Sequence, residues 1–280
     1  MHLTPPARVG VMGDPVAHSR SPQMHNPALT TRRIDAQYVR LHIRPHEFVE
    51  AVQTCRAAGM TGVNCTIPHK LAALEIADEL DPLAQRLGAV NTLVFRDGRI
   101  YGHNTDGPGL RLAVEDEFDQ SLSDQRILIL GAGGGAGRAA AMQCALTGCR
   151  HLTLVNRTPG KLTALARELA SVLPSDRITV QSEPNALEVD LIVNATPLGM
   201  KADDPPPMDF AHLHRHHNVY DMIYSPPETP LIAAARAAGA RAANGLSMLL
   251  HQGAAAFDLW FGKPVPIEAM RLGLNESFDQ

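Results

Sequence analysis

Short runs rich in β-branched residues alternate with longer, alanine-rich amphipathic stretches along the whole chain, and this alternation restricts the fold more than any other feature. "VGVMGD", "QYVRLHI", "GVNCTI", "RILILG", "HLTLVNR", "RITVQS", "DLIVNAT" and "NVYDMIY" supply the strand-like runs, with helical stretches between most of them. Such a rhythm predicts parallel βαβ units and an α/β protein. It breaks once, in "NTLVFRDGRIYGHN", where Asp97-Gly98 between two apolar alternations predicts a tight hairpin closing the first sheet. A fresh strand, glycine turn and helix begins at Arg126, so a domain boundary is expected in a linking helix between Asp106 and Asp124. A chain of 280 residues has room for two domains. "NGLSMLLHQGAAAFDLWFG" predicts a long helix too apolar for a free edge, one that returns to the first domain, and "PIEAMRLGLNESF" predicts a last helix. The expected division is 1–106 with 246–280 as one domain and 107–245 as the other.

The formal charge is −4, without the basic excess of a nucleic-acid surface, so small molecules are the expected partners. No run approaches the roughly 18 uninterrupted apolar residues of a membrane span. "MHLTPPARVG" lacks an apolar segment of signal-peptide length, and a cytoplasmic monomer or homodimer without membrane contact is expected. Cys55, Cys65, Cys144 and Cys149 form no CxxC pair, which predicts buried free thiols and neither metal nor disulfide. His212, His214, His216 and His217 crowd one stretch without carboxylates nearby, which predicts a solvated surface segment.

In "RILILGAGGGAGRAAAMQCAL" an apolar strand runs straight into a glycine-rich turn and a helix of small residues. That context predicts a dinucleotide cradle built from Gly131, Ala132, Gly133, Gly134 and Gly135. Gly131 permits the tight turn, Gly133 lets the backbone approach a pyrophosphate, Ala136 or Gly137 permits close helix packing, and amides at the helix start face the phosphates. An NAD site would end the next strand in a carboxylate for the ribose hydroxyls. Here "HLTLV" ends in Asn156-Arg157-Thr158, with Lys161 one turn on, and this basic pair matches a 2′-phosphate; the expected cofactor is NADP.

"HSRSPQMHN", "NCTIPHK", "GAVNT", "GHNTDG", "GAGGG", "NRT", "NATPLGM", "DMIYSPPETPL" and "NGLSMLLHQG" resemble, in this order and across nearly the whole chain, the shikimate dehydrogenase family. The resemblance implies an N-terminal α/β substrate-binding domain and a Rossmann-type NADP-binding domain, with the C-terminal helices packing back on the first. It implies reversible reduction of 3-dehydroshikimate to shikimate, in the route to aromatic amino acids. A quinate/shikimate dehydrogenase of broader specificity and a non-catalytic nucleotide-binding regulator remain alternatives on the same scaffold. Three features depart from the family pattern: a glycine loop one residue longer, Cys65 where valine is usual, and Pro197 where serine is common.

Carbonyl reduction by hydride needs a surface that holds the two reactants together and a proton donor for the oxygen. Lys70 follows a predicted strand at the sheet edge where ligands of open α/β sheets bind, and Asp106 closes the hairpin segment. By resemblance the two form the catalytic dyad. Ser21-Pro22 reads as a helix start with serine as N-cap and proline at the first helical position. By resemblance Ser19 and Ser21, with Tyr224 near them, bind the substrate carboxylate, while Thr66, Asn91, Asp106 and Gln252 hold ring hydroxyls. For Asn91 and Gln252 the alternative role is satisfying backbone groups. Asn156, Arg157, Thr158 and Lys161 match the adenosine-phosphate side, Met222, Gly245 and Met248 match positions beside the nicotinamide, although methionine also serves as ordinary core, and Thr196 is a further cofactor-binding residue by resemblance.

Overall fold

Strands covered on both faces are apolar throughout, and the short apolar runs of this sequence become two six-stranded sheets. The computed structural model describes residues 6–158, 160–186 and 188–276, except the Lys161 side chain. The chain divides into two compact units, Met1–Gly109 with Leu249–Gln280, and Leu110–Met248.

In the first unit the elements follow as β1 (Ala7–Gly13), α1 (Ser21–Thr31), β2 (Gln37–His42), α2 (Phe48–Ala57), β3 (Gly62–Cys65), α3 (Lys70–Ile76), β4 (Glu79–Leu80) and α4 (Pro82–Leu87). β5 (Thr92–Arg96), β6 (Arg99–His103) and the start of α5 (Asp106–Phe118) come next. The strand order is β2-β1-β3-β5-β6-β4. β1 is parallel to β2 and β3, whereas β5 is antiparallel to both β3 and β6. Asp97 and Gly98 at the β5–β6 turn both have positive φ, 53° and 74°, as a two-residue hairpin of this hand requires. One sheet face packs Val9, Val11 and Tyr38 against Met24, Leu29, Phe257, Trp260 and Met270; the other packs Met12, Val63 and Leu93 against Phe48, Val52 and Ala73. The Trp260 indole N–H donates to the Leu93 carbonyl at 3.1 Å, and a Cβ on Gly62 would collide with both groups.

The second unit runs β7 (Arg126–Leu130), α6 (Gly135–Thr147), β8 (His151–Val155), α7 (Gly160–Leu169), β9 (Ile178–Gln181), β10 (Leu191–Asn194), β11 (Asn218–Asp221), α8 (Pro230–Ala237) and β12 (Arg241–Asn244). All pairs are parallel in the order β12-β11-β10-β7-β8-β9, which reverses direction at β7 and β10. That reversal is the switch point at which doubly wound sheets open a ligand crevice. The apolar run of residues 244–262 is α9 (Leu246–Phe261), and α10 (Ile267–Glu276) follows.

Three local expectations change. α1 begins at Ser21 itself, with Arg20 at the cap and no side-chain capping bond, so Ser21 is not the N-cap; its hydroxyl accepts from Ser19 Oγ instead. His217 is not solvated: it is buried, its Nε2 lies 3.0 Å from the Ala186 carbonyl, and its Nδ1 accepts from the His214 amide. Cys65, Cys144 and Cys149 are buried free thiols, but Cys55 is half-buried.

Candidate active site

β3 ends at Cys65, and the turn that follows carries His69, whose ring stacks on Phe48 at 4.6 Å and lies 2.7 Å from the Ile43 carbonyl. This anchored turn starts α3 at Lys70. Lys70 Nζ donates to Asp106 Oδ2 at 2.7 Å, with the lysine side chain 31% and the aspartate 15% exposed. Asp106 opens α5, and its backbone N–H and that of Gly107 donate to Asn104 Oδ1. Behind the pair, Asn91 Nδ2 donates to Asp106 Oδ1 at 2.9 Å and lies 3.4 Å from Gln252 Oε1, while Gln252 Nε2 donates to the Leu249 carbonyl. The carboxylate therefore has one oxygen on the ammonium and the other on a buried amide. The ammonium is held in direction yet still reachable from solvent.

A second group of polar side chains adjoins this one. Ser19 Oγ donates to Ser21 Oγ at 3.2 Å, and the Ser21 N–H donates back to Ser19 Oγ at 3.4 Å. Tyr38 donates to Asn64 Oδ1 at 2.7 Å, and Asn64 Nδ2 donates to the Asn91 carbonyl at 3.2 Å and to Thr92 Oγ1 at 2.9 Å. Thr92 and Thr105 then reach Asn91 Oδ1. Burial without a partner costs each such group about 1–3 kcal/mol, so the connected network locks the side chains from Tyr38 to Asp106. Thr66 lies half-buried on the turn after β3, its methyl against Gly13 and its N–H donating to the Met12 carbonyl.

In the second unit the glycine loop joins β7 to α6. Gly131 has φ +79°, and a Cβ there would lie 2.7 Å from Thr196 Cγ2. Gly137 is the close-packing position, since a Cβ would strike the Gly131 carbonyl. A Cβ on Gly133 would meet the Asn156 amide at 2.9 Å, whereas Gly135 has open space around it and the N-cap of α6, Gly134, offers no side-chain cap. The open backbone facing outward is thus Gly134-Gly135, and Gly133 makes room for Asn156, which donates to the Thr158 carbonyl at 3.1 Å. No carboxylate ends β8; Asn156, Arg157 and Thr158 stand there, with Arg157 exposed. Uncapped amides, open glycines and a cation at the strand end fit a dinucleotide with a 2′-phosphate. At the ends of β10 and β11, buried Asp221 accepts from Asn194 Nδ2, the Ile223 N–H and Thr229 Oγ1, and burial pushes its carboxyl above the usual range. Asn194 in turn accepts from Thr196, whose hydroxyl accepts from the Leu198 N–H beyond Pro197. Met222 donates its N–H to the Asn194 carbonyl, a Cβ on Gly245 would strike the Met222 carbonyl, and the Met248 N–H donates to the Tyr220 hydroxyl. Tyr224 sits half-buried just after β11.

Known proteins match over nearly the full length. Family models described as shikimate dehydrogenase substrate binding domain, shikimate / quinate 5-dehydrogenase and shikimate 5'-dehydrogenase C-terminal domain match residues 11–93, 112–198 and 245–271. A protein of Symbiobacterium thermophilum named shikimate dehydrogenase (NADP(+)) is 41% identical over 275 residues, which cover 95% of this chain and 93% of that protein. The chain belongs to the shikimate dehydrogenase family. Among solved structures, a shikimate dehydrogenase in complex with NADP+ superposes with a TM-score of 0.91 at 37% identity, covering 99% of this chain and 97% of that one. The Thermus thermophilus shikimate 5-dehydrogenase in complex with NADP(H) and shikimate gives 0.88 at 35%, covering 97% and 99%.

In this shikimate dehydrogenase family member, Asp106 contacts Lys70 and Asn91, Asn91 reaches Gln252, Ser19 reaches Ser21, and side chains that the sequence does not single out back Asn91. Tyr38 and Asn64 are those residues, with Thr92, Asn104 and Thr105 beside them. A tyrosine and an asparagine inside strand-like runs read as β-propensity and a polar interruption. Only an accounting of buried polar groups finds them. On the nucleotide side Gly131 meets Thr196, Gly133 meets Asn156, and Gly245 meets Met222. The Lys161 side chain lies outside the described residues.

Proposed function

We propose that this chain is an NADP-dependent shikimate dehydrogenase that reversibly reduces 3-dehydroshikimate to shikimate in aromatic amino-acid biosynthesis, with Lys70 and Asp106 as its catalytic pair. The observation that carries the assignment of these residues is the 2.7 Å contact between Lys70 Nζ and Asp106 Oδ2, backed by the Asn91 amide on the other carboxylate oxygen. Bound NADPH supplies the hydride. As negative charge grows on the ketone oxygen, Lys70 Nζ gives it a proton, and in oxidation the same nitrogen takes the proton back. Asp106 keeps the ammonium aimed and, with Asn91, Thr66 and Gln252, binds ring hydroxyls. Ser19 and Ser21, with Tyr224, hold the carboxylate. The unit of Met1–Gly109 and Leu249–Gln280 is the substrate domain, and Leu110–Met248 is the cofactor domain, in which Arg157 and Lys161 take the 2′-phosphate, Gly131–Gly135 the pyrophosphate, and Thr196, Met222, Gly245 and Met248 the nicotinamide end. We place the enzyme in the cytoplasm; no helix among the described residues is long and apolar enough to cross a membrane.

A steady-state assay crossing shikimate and quinate with NADP⁺ and NAD⁺ tests the reading. The expected result is the highest kcat/KM for shikimate with NADP⁺, and a selective loss with NADP⁺ in Arg157→Ala. Preference for NAD⁺ refutes the cofactor assignment. Quinate turnover equal to that of shikimate moves the chain to the broader quinate/shikimate activity.

A further inference from the structure

Ser19, which the proposed function gives to the substrate carboxylate, stands in the connection between β1 and α1, outside either element. Its own segment holds it only locally: the Ser19 N–H donates to the Val16 carbonyl at 3.0 Å, and its hydroxyl meets Ser21 at the start of a helix that has no capping side chain. The tie from this connection to the sheet comes from β2. Arg40 Nε donates to the Ser19 carbonyl at 2.8 Å, and Nη2 on the same edge of the guanidinium donates at 3.0 Å to Oε1 of Gln23, in the first turn of α1. One planar fork thus spans the approach to the helix and the helix itself. β2 is an edge strand, and Asn26 occupies that edge: its Oδ1 accepts from the Tyr38 N–H at 2.8 Å, and its Nδ2 donates to the Tyr38 carbonyl at 3.2 Å. Arg40 lies two positions further along, so its side chain leaves the same face of the strand as that of Tyr38. α1 is therefore fastened to β2 in its middle by Asn26 and at its start by Arg40, and the second fastening is the one that reaches Ser19.

We infer that Arg40 is a positioning residue which sets Ser19 for the substrate carboxylate by gripping the Ser19 carbonyl. The inference rests on the reading that Ser19 binds that carboxylate. With its N–H on Val16 and its carbonyl on Arg40, the Ser19 backbone is fixed on both sides, and the hydroxyl has only its χ1 rotamers left to search. Arginine suits the task because its two donors are held in a rigid fork, whereas a lysine ammonium is a single point on a flexible stem. Arg40 is exposed, so removing it leaves no buried gap, and Asn26 still holds the helix.

The experiment compares Ser19→Ala, Arg40→Ala, Arg40→Lys and Ser19→Ala/Arg40→Ala, with kcat, KM for shikimate, KM for NADP⁺ and thermal melting measured for each full-length protein. A hydrogen bond to a charged group corresponds to about a 10- to 100-fold change in affinity, so Ser19→Ala raises KM for shikimate by about that factor. Arg40→Ala misplaces the hydroxyl without deleting it and raises the same KM by less, about 3- to 10-fold, the worth of about one ordinary hydrogen bond. Its kcat, KM for NADP⁺ and melting temperature change little, because carboxylate binding is common to ground and transition states. Arg40→Lys keeps the charge without the fork and matches Arg40→Ala within about twofold. Once Ser19 is alanine there is no hydroxyl to aim, so adding Arg40→Ala raises KM by less than about twofold. Full rescue by Arg40→Lys assigns the effect to charge and overturns the inference. It is equally overturned by an Arg40→Ala effect that is absent, that exceeds the Ser19→Ala effect, that persists undiminished in the double variant, or that raises KM for NADP⁺ in parallel. In each of these cases a raised KM in Ser19→Ala leaves the carboxylate reading standing. Unchanged KM in Ser19→Ala overturns that reading, and the inference with it.

Discussion

His25 should make this protein acid-labile in a way a single substitution removes. Its ring is fully buried, stacked on Tyr38 at 4.3 Å and flanked by Phe257 and Trp260, and neither ring nitrogen has a hydrogen-bond partner among the described residues. Burial pushes its pKa down from 6.5 to about 3. With the folded value depressed, the unfolded chain binds the proton first, so the stability is intact above pH 6.5 and drains away as pH falls toward 3. Integrating between pH 7 and pH 5 gives a loss of about 2 kcal/mol from this one group, at about 1.4 kcal/mol per pKa unit. His25→Phe keeps an aromatic ring in the stack and cannot protonate. Urea unfolding of both proteins at pH 7 and pH 5 measures the effect. Any packing penalty of the phenylalanine shifts its stability equally at both pH values, and the carboxylates held below their usual range, Asp81 and Asp190, are common to both proteins and cancel. The wild type should therefore lose about 2 kcal/mol more than the variant. Equal losses, within about 0.5 kcal/mol, would show that His25 has an ordinary affinity for protons in the folded state and refute the reasoning.

Lys70→Ala should retain NADP⁺ binding while kcat falls by about 10²- to 10⁴-fold, the range for a positioned acid or base, and Asp106→Asn should impair both kcat and KM. Because their side chains touch at 2.7 Å, the double variant should lose much less than the product of the two single losses in kcat/KM, and multiplicative losses would separate their roles. Gly245→Ala places a methyl against the Met222 carbonyl, so it should lower stability by about 1–3 kcal/mol and raise KM for NADP⁺. Thermal melting and cofactor titration check this pair of effects, and an unchanged KM would remove Gly245 from the nicotinamide side.

Local chemistry alone carried much of this architecture. The strand-glycine-helix run at Arg126 and the Asp97-Gly98 hairpin are written in adjacent residues, because backbone sterics and phosphate-facing amides act over a few positions. Lys70 and Asp106 were legible as polar residues at strand ends, and the family resemblance supplied their partnership. β12 was not legible: "RAAN" is short and half polar, and it becomes a strand only because β11 offers it a parallel edge. The division of labour at the glycine loop also waited for the tertiary structure, since Gly133 is crowded by Asn156 from the next strand while Gly135 stands open. Tyr38 and Asn64 are the clearest case. Residues 26 positions apart in the chain meet at 2.7 Å, and the direction of their hydrogen bond depends on a carbonyl from a third segment. Periodicity reports which face of an element is buried, but which buried polar groups must satisfy one another is decided only when the strands are side by side.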